Sequence, residues 1–98
     1  MSDAKLDPII HPANRLKIIA MLDAMRTDVE FSVLKNALGV SDSVLSKQLK
    51  ILTKAHYIET KKVLGKGRPS TWICLTSKGK TAYGEHVAAL KAILDGTL

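Results

Sequence analysis

The junction Gly39-Val40-Ser41 constrains this chain more than any other stretch of it. A short apolar-faced segment, Ser32 to Leu38, precedes it, and a longer one, running to about Ala55, follows. A glycine there supplies the left-handed residue that ends one helix, and Ser41 supplies an oxygen that caps the next. Asp42 adds a negative charge at the positive end of the second helix dipole. Leu45, Leu49 and Leu52 fall at i, i+4 and i+7, so one stripe of that helix faces a core. Its other side carries Ser43, Ser46, Lys47, Lys50 and Lys54 with no acidic residue among them.

The flanks complete the outline. Ala13 to Met25 has helical periodicity, with Leu16, Ile19, Ala20 and either Met21 or Leu22 inward, and Pro12 fits a first helical turn. Arg26-Thr27-Asp28 is a polar break, and Ser32 is the expected cap of the short second helix. Tyr57 to Leu64 and Ser70 to Leu75 suit strands, and Gly65-Lys66-Gly67-Arg68-Pro69 between them is a turn by composition, so the two form a hairpin. Alternation sends Ile73 and Leu75 to the core and Trp72 and Cys74 to the other side. There Trp72 packs under a neighbouring element or offers a partner or effector surface. Thr76 caps a last helix reaching about Leu94, in which Tyr83, Val87, Leu90 and Leu94 form a heptad-like seam. The expected fold is mainly α with a small β-hairpin (α+β). A three-helix core carries a wing and a C-terminal helix. The expected segments are a tail at 1–11, a helix-turn-helix domain with wing at 12–76, and a dimerisation helix at 77–98.

Charge is unevenly spread. Of the formal +6, the segment Ser43–Lys80 holds nine basic residues and one acid, Glu59, a net +8, and the rest of the chain is −2. Such polarisation suits a polyanion facing one side of the fold, or else a solvated lysine surface. The tight turn lets the helix that follows Ser41 enter a DNA major groove, about 12 Å wide. Short hydroxyls there approach base edges, and lysines reach phosphates or guanine. In the turn, Lys66 and Arg68 are placed for the neighbouring minor groove, where a narrow groove concentrates negative potential. Lys61 and Lys62 either touch phosphates or guard a strand edge against aggregation.

Two stretches, FSVLKNALGVSDSVLSKQLKILTKAHYIE and KGRPSTWICLTSKGKTAY, carry a family resemblance over about Pro12 to Tyr83. They resemble the winged helix-turn-helix transcriptional regulators of the MarR and ArsR type, especially the short stand-alone members. The resemblance implies dimers, repressors more than activators, on partly palindromic double-stranded DNA. It implies a recognition helix at about 42–55 in the major groove and a wing at 65–69 on the minor groove or backbone. Ser41, Ser43, Ser46, Lys47, Lys50, Lys54, Lys61, Lys62, Lys66 and Arg68 are the expected DNA-contacting residues. A homodimer seam is expected from Tyr83, Val87, Leu90 and Leu94, joined by Ile9, Ile10 and Leu16, although the same seam could instead fold onto its own core. Family members that sense metals use paired cysteines or a His/Asp set. One cysteine and three scattered histidines give neither, so no metal and no cofactor is expected.

Other classes fit less well. No Gly-rich phosphate loop precedes a helix, and no nucleophile–base set or zinc motif appears, so an enzyme is not expected. RNA ranks below DNA because its deep, narrow major groove excludes a helix and the chain has no aromatic platform. No apolar run spans a bilayer, and residues 1–7 are polar with both charge signs, so a cytoplasmic location without a membrane is expected. The alternative function is a winged-helix protein-interaction module that binds no DNA. Cys74 as a redox sensor lacks a resolving partner. No small-molecule effector is named by any motif.

Overall fold

The computed structural model describes residues 5–65 and 67–97. The order of elements is α1 (Ala13–Met25), β1 (Val29–Glu30), α2 (Phe31–Leu38), α3 (Asp42–Lys54), β2 (Ile58–Gly65), β3 (Arg68–Leu75) and α4 (Ser77–Leu94). This is the α+β architecture expected, four helices with a small antiparallel sheet.

The caps behave largely as the sequence dictates. Gly39 takes φ 67°, and its N–H closes α2 on the Lys35 carbonyl. The Ser41 hydroxyl accepts from the Val44 N–H, and Thr76 accepts from the Gly79 N–H, so α3 and α4 begin where expected. Such caps are worth about 1 kcal/mol each. Ser32 is a correction. The helix α2 starts one residue earlier, at Phe31, and the Ser32 hydroxyl donates to the Glu30 carboxylate at 2.5 Å instead of capping. Glu30 belongs to β1, so sheet pairing sets the entry into α2.

That strand is an addition. The sheet has three strands in the order β1-β3-β2, with Val29 opposite Ile73 and Glu30 opposite Trp72. Two residues carry too little alternation to be read as a strand. The core gathers Ile18, Ile19 and Leu22 of α1, Leu34 of α2, Leu45, Leu49 and Leu52 of α3, and Val29, Ile58 and Ile73 of the three strands. Leu22 is therefore inward and Met21 packs at the margin. Leu75 packs against the same core, as alternation requires.

The segment before α1 is a strap. The Asp7 carboxylate accepts from the N–H groups of Ile9 and Ile10 and, at 2.5 Å, from the Tyr57 hydroxyl. Arg15 Nε fixes the Ile9 carbonyl at 2.6 Å. Ile10 is thereby driven into its own domain and is 0% exposed. It has no surface to give a dimer seam, which corrects the expectation. Ile9 too leans on the core. The strap ends on α4, where the Asp7 N–H donates to His86 Nδ1 at 2.9 Å. His86 is only 1% exposed, and its Nε2 has no partner among the described residues. Burial pulls this imidazole below its ordinary range, and His11, 5.4 Å away ring to ring, adds repulsion that Asp7 partly offsets. Lys5, Tyr57 and Glu85 line the same cavity.

Two expectations follow. Gly79 lies so close to β2 that a Cβ would stand 2.1 Å from the Tyr57 carbonyl oxygen, whereas at Gly84 it would meet nothing within 4 Å. Gly79→Ala should cost roughly 3 kcal/mol through overpacking. Gly84→Ala should gain about 0.5–1 kcal/mol from helix propensity. Equal melting temperatures for the two variants would refute the close contact. The second concerns pH. His86 titrates lower folded than unfolded, so its stabilising effect is whole above about pH 6.5 and is lost as pH falls below that. Urea unfolding at pH 7.5 and 5.5 should show a larger acid loss for wild type than for His86→Gln, and equal losses would refute it.

Candidate nucleic-acid interface

The helix α3 is pinned by its leucine stripe, so its orientation leaves one face free. Ser43, Ser46, Lys47, Lys50 and Lys54 are all exposed there. Ser41 sits at the helix mouth with its hydroxyl 3.2 Å from that of Ser43. Asp42 is the one acid of α3, and Lys35 of α2 holds its carboxylate at 2.7 Å. Its charge is thus compensated before any polyanion approaches. Gln48 turns the other way, where its amide oxygen accepts from Arg15 Nη1 at 2.8 Å.

Between α3 and the hairpin runs a groove of about 610 Å³. Ser46, Lys50, Thr53 and Lys54 form its helix wall, Thr60, Lys62 and Thr71 its sheet wall, and Phe31 and Leu49 its apolar floor. Phe31, Thr53, Thr60 and Thr71 were not among the expected contacts. The two sheet threonines were legible by alternation, because Thr60 shares a face with Ile58 and Thr71 with Ile73. Thr53 donates its hydroxyl hydrogen back to the Leu49 carbonyl at 2.8 Å, so toward the groove it offers lone pairs only.

The two strand lysines part company. Lys62, opposite Thr71, faces the groove, whereas Lys61, opposite Trp72, lies on the far side of the sheet. There its ammonium is 3.6 Å from the Asp28 carboxylate. Lys61 is therefore removed from the basic face, a correction forced by the pleat. Arg68 opens β3 at the hairpin end and is exposed, and Lys66 lies outside the described residues.

The expected dimer residues also divide. Tyr83 packs against the core and Leu90 is half-buried, while Val87 is 40% and Leu94 76% exposed. Trp72 is half-buried, with its indole N–H donating to Ser70 at 3.0 Å, as a packed residue does. The Asp28 carboxylate, followed by burial, pushes the Cys74 thiol up, which keeps it protonated. Among the described residues no cluster of three or more His, Cys, Asp or Glu could hold a metal ion. No helix there is long and apolar enough to cross a membrane.

Comparison with known proteins agrees with this geometry. The chain is 37% identical over 79 residues to an uncharacterized protein of Methanocaldococcus jannaschii, covering 81% of this chain and 85% of that one. Its fold matches the transcriptional regulator homologue protein from Pyrococcus horikoshii OT3 with a TM-score of 0.83 and 27% identity, over 91% of this chain and 87% of that one. A PadR family transcriptional regulator from Eggerthella lenta has a TM-score of 0.70 over 87% of this chain and 81% of that one, and at 16% identity the likeness is one of fold. The solved neighbours cited are regulators, not enzymes. A free basic helix after a tight turn, a hairpin beside it and a family match spanning residues 14–94 agree, and the chain belongs to the winged helix DNA-binding domain family.

Proposed function

We propose that this chain is a homodimeric repressor that sets α3 in the major groove of double-stranded DNA and its wing in the adjoining minor groove. The observation that carries the reading is the continuity of one basic surface. Lys47, Lys50 and Lys54 on α3 and Lys62 across the groove stand exposed, and two acids on the flanking segments, Asp42 and Asp28, are paired with Lys35 and Lys61. Cations left without acidic partners along a groove suit a phosphate backbone, whose binding releases counterions. In this reading Ser43, Ser46 and Lys47 face the bases, Lys50, Lys54 and Lys62 hold the strand between the two grooves, and Arg68 with Lys66 reaches the minor groove. A protein-interaction module is the weaker reading, because a protein-binding face would favour apolar anchors over lysines.

The flank of α4 supports the dimer. Val87, Leu90 and Leu94 continue a seam whose far end leaves the body of the domain, and a two-fold partner would cover it. Symmetry would then place two α3 helices about 34 Å apart, one helical turn of DNA. Bound across a promoter, such a dimer blocks transcription by occupancy, as the MarR and ArsR type of regulator is expected to do.

Binding to genomic fragments that include the upstream region of the gene should weaken steeply with salt. Lys47→Ala and Lys62→Ala should each lower the salt slope by about one unit, and Lys61→Ala should leave it unchanged. Fluorescence anisotropy across a salt series measures this, and equal slopes for Lys61→Ala and Lys62→Ala would refute the assigned faces. For assembly, Val87→Glu with Leu94→Lys should yield monomers in sedimentation velocity and bind a palindromic site at least 10-fold more weakly, with the melting temperature preserved. A wild-type monomer at DNA-binding concentrations would rule the dimer out.

A further inference from the structure

The wing ends in an exposed apolar pair, Leu64 and Pro69, the second at the rim of a hollow that also holds Glu30. Leu64 is 86% exposed and lies opposite Pro69 in the hairpin register. Thr60, Lys62 and Thr71 line the groove beside α3, and period-two alternation continues that face outward to Leu64 and Pro69. The face therefore runs from threonine and lysine to leucine and proline, while Arg68, next to Pro69 and opposite Gly65, opens the reverse face at the same end. Charge decides the occupant. An apolar tip that follows Lys62, carries Arg68 on its reverse and is continuous with a basic groove fits an anionic partner whose interior is less polar than its rim. A DNA minor groove has that form, with phosphates at its lips and sugars along its walls.

We propose that Leu64 and Pro69 make the wing selective for A·T base pairs by refusing the guanine 2-amino group, an inference that rests on the DNA-binding reading above. In the minor groove an A·T pair shows only acceptors, whereas G·C adds the guanine amino donor. Leu64 and Pro69 side chains pressed to the groove floor strip water from that donor and offer it no acceptor, so G·C is penalised. Arg68 acts in the same direction, because A·T tracts narrow the groove and deepen its negative potential. The serines on the outer face of α3 contact either base type and so do not duplicate this. Adenine is read in the major groove by asparagine or glutamine. That face has no asparagine, and Gln48, the helix's one glutamine, is tied to Arg15.

Three alternating 30-base-pair duplexes test the inference without knowledge of an operator: A·T, G·C and inosine·C. Inosine·C keeps the major-groove atoms of G·C but lacks the 2-amino group. Anisotropy titrations of the full chain should give similar affinities for A·T and inosine·C, and at least fivefold weaker binding to G·C. Leu64→Asn supplies an acceptor and should reduce the inosine·C over G·C preference to less than twofold. Lys47→Ala should weaken binding to all three duplexes and keep the ratio. Circular dichroism of each variant confirms that it folds. Equal binding of wild type to inosine·C and G·C overturns the proposal. So does a preference that survives in Leu64→Asn, which would assign it to Arg68 and groove width. Failure to bind any of the three duplexes at low salt would overturn the DNA-binding reading, and this inference with it.

Discussion

Tyr57 is the residue on which the geometry of the domain turns. Its N–H donates to the Leu52 carbonyl at the end of α3, and its carbonyl accepts from the Thr76 N–H where β3 becomes α4. His56 beside it takes φ 63°, a left-handed conformation that reverses the chain between α3 and β2. The Thr76 hydroxyl donates to the His56 carbonyl at 2.7 Å, which closes the joint a second time. Gly79 is bare so that α4 can lie on this peptide. The Tyr57 hydroxyl, meanwhile, reaches back to Asp7 of the strap, and Lys78 stands 5.7 Å above the ring. Burial, then the bond to Asp7, push that hydroxyl up to about 12, so it stays a donor through neutral pH. One residue thus joins α3, the hairpin, the last helix and the strap.

Because α3 and the hairpin leave the same joint, their relative angle is set by backbone bonds rather than by side chains in the groove between them. The outward residues of both are then free of structural duty. Ser43, Lys47, Lys50 and Lys62 can vary without loss of fold, whereas Leu45, Leu49, Ile58 and Ile73, one step around the same elements, cannot. Such separation lets one scaffold carry many recognition surfaces. Two ion pairs flank these elements, Lys35 with Asp42 and Lys61 with Asp28. These exposed pairs are worth at most about 1 kcal/mol each. Their larger consequence is to take acids out of the field facing a polyanion.

What the sequence made legible was local. Helix ends followed from Gly39, Ser41 and Thr76, since a cap is satisfied within three or four residues of itself. The basic face of α3 followed from helical period alone. The sides of Lys61 and Lys62 were equally local, because Ile58 is inward and the pleat alternates from it. Treating the two as a unit discarded a signal the chain contained. The strap was illegible for a different reason. Asp7 finds Tyr57 fifty positions away and His86 seventy-nine positions away, and no spacing rule reaches that far. Prolines at 8 and 12 and a polar start read as a tail, although Ile10 between them is core. Short β1 was missed because a two-residue strand is defined by its partner β3, not by its own alternation.

The last helix shows why a heptad pattern is ambiguous as evidence for an interface. Seven residues fall about 20° short of two full turns of a straight helix, so a seam drifts round as it climbs. In α4 the seam begins at Tyr83, within reach of the core, and ends at Leu94, clear of it. The inward row is a different one, Gly79, His86 and Ala89, about a quarter turn away. Small Gly79 and Ala89 let α4 approach closely, and His86 fills the space between them by receiving the strap. An apolar row displaced a quarter turn from the buried one does not complete this domain's core. Its exposed members, Val87 and Leu94, are not used by the monomer's core, and its last turn, with Ile93 and Leu94 exposed, has little packing of its own to hold it helical. A two-fold mate along that flank would supply the packing and fix the spacing of the two recognition helices by the same contact. Assembly and half-site spacing would then be one variable rather than two.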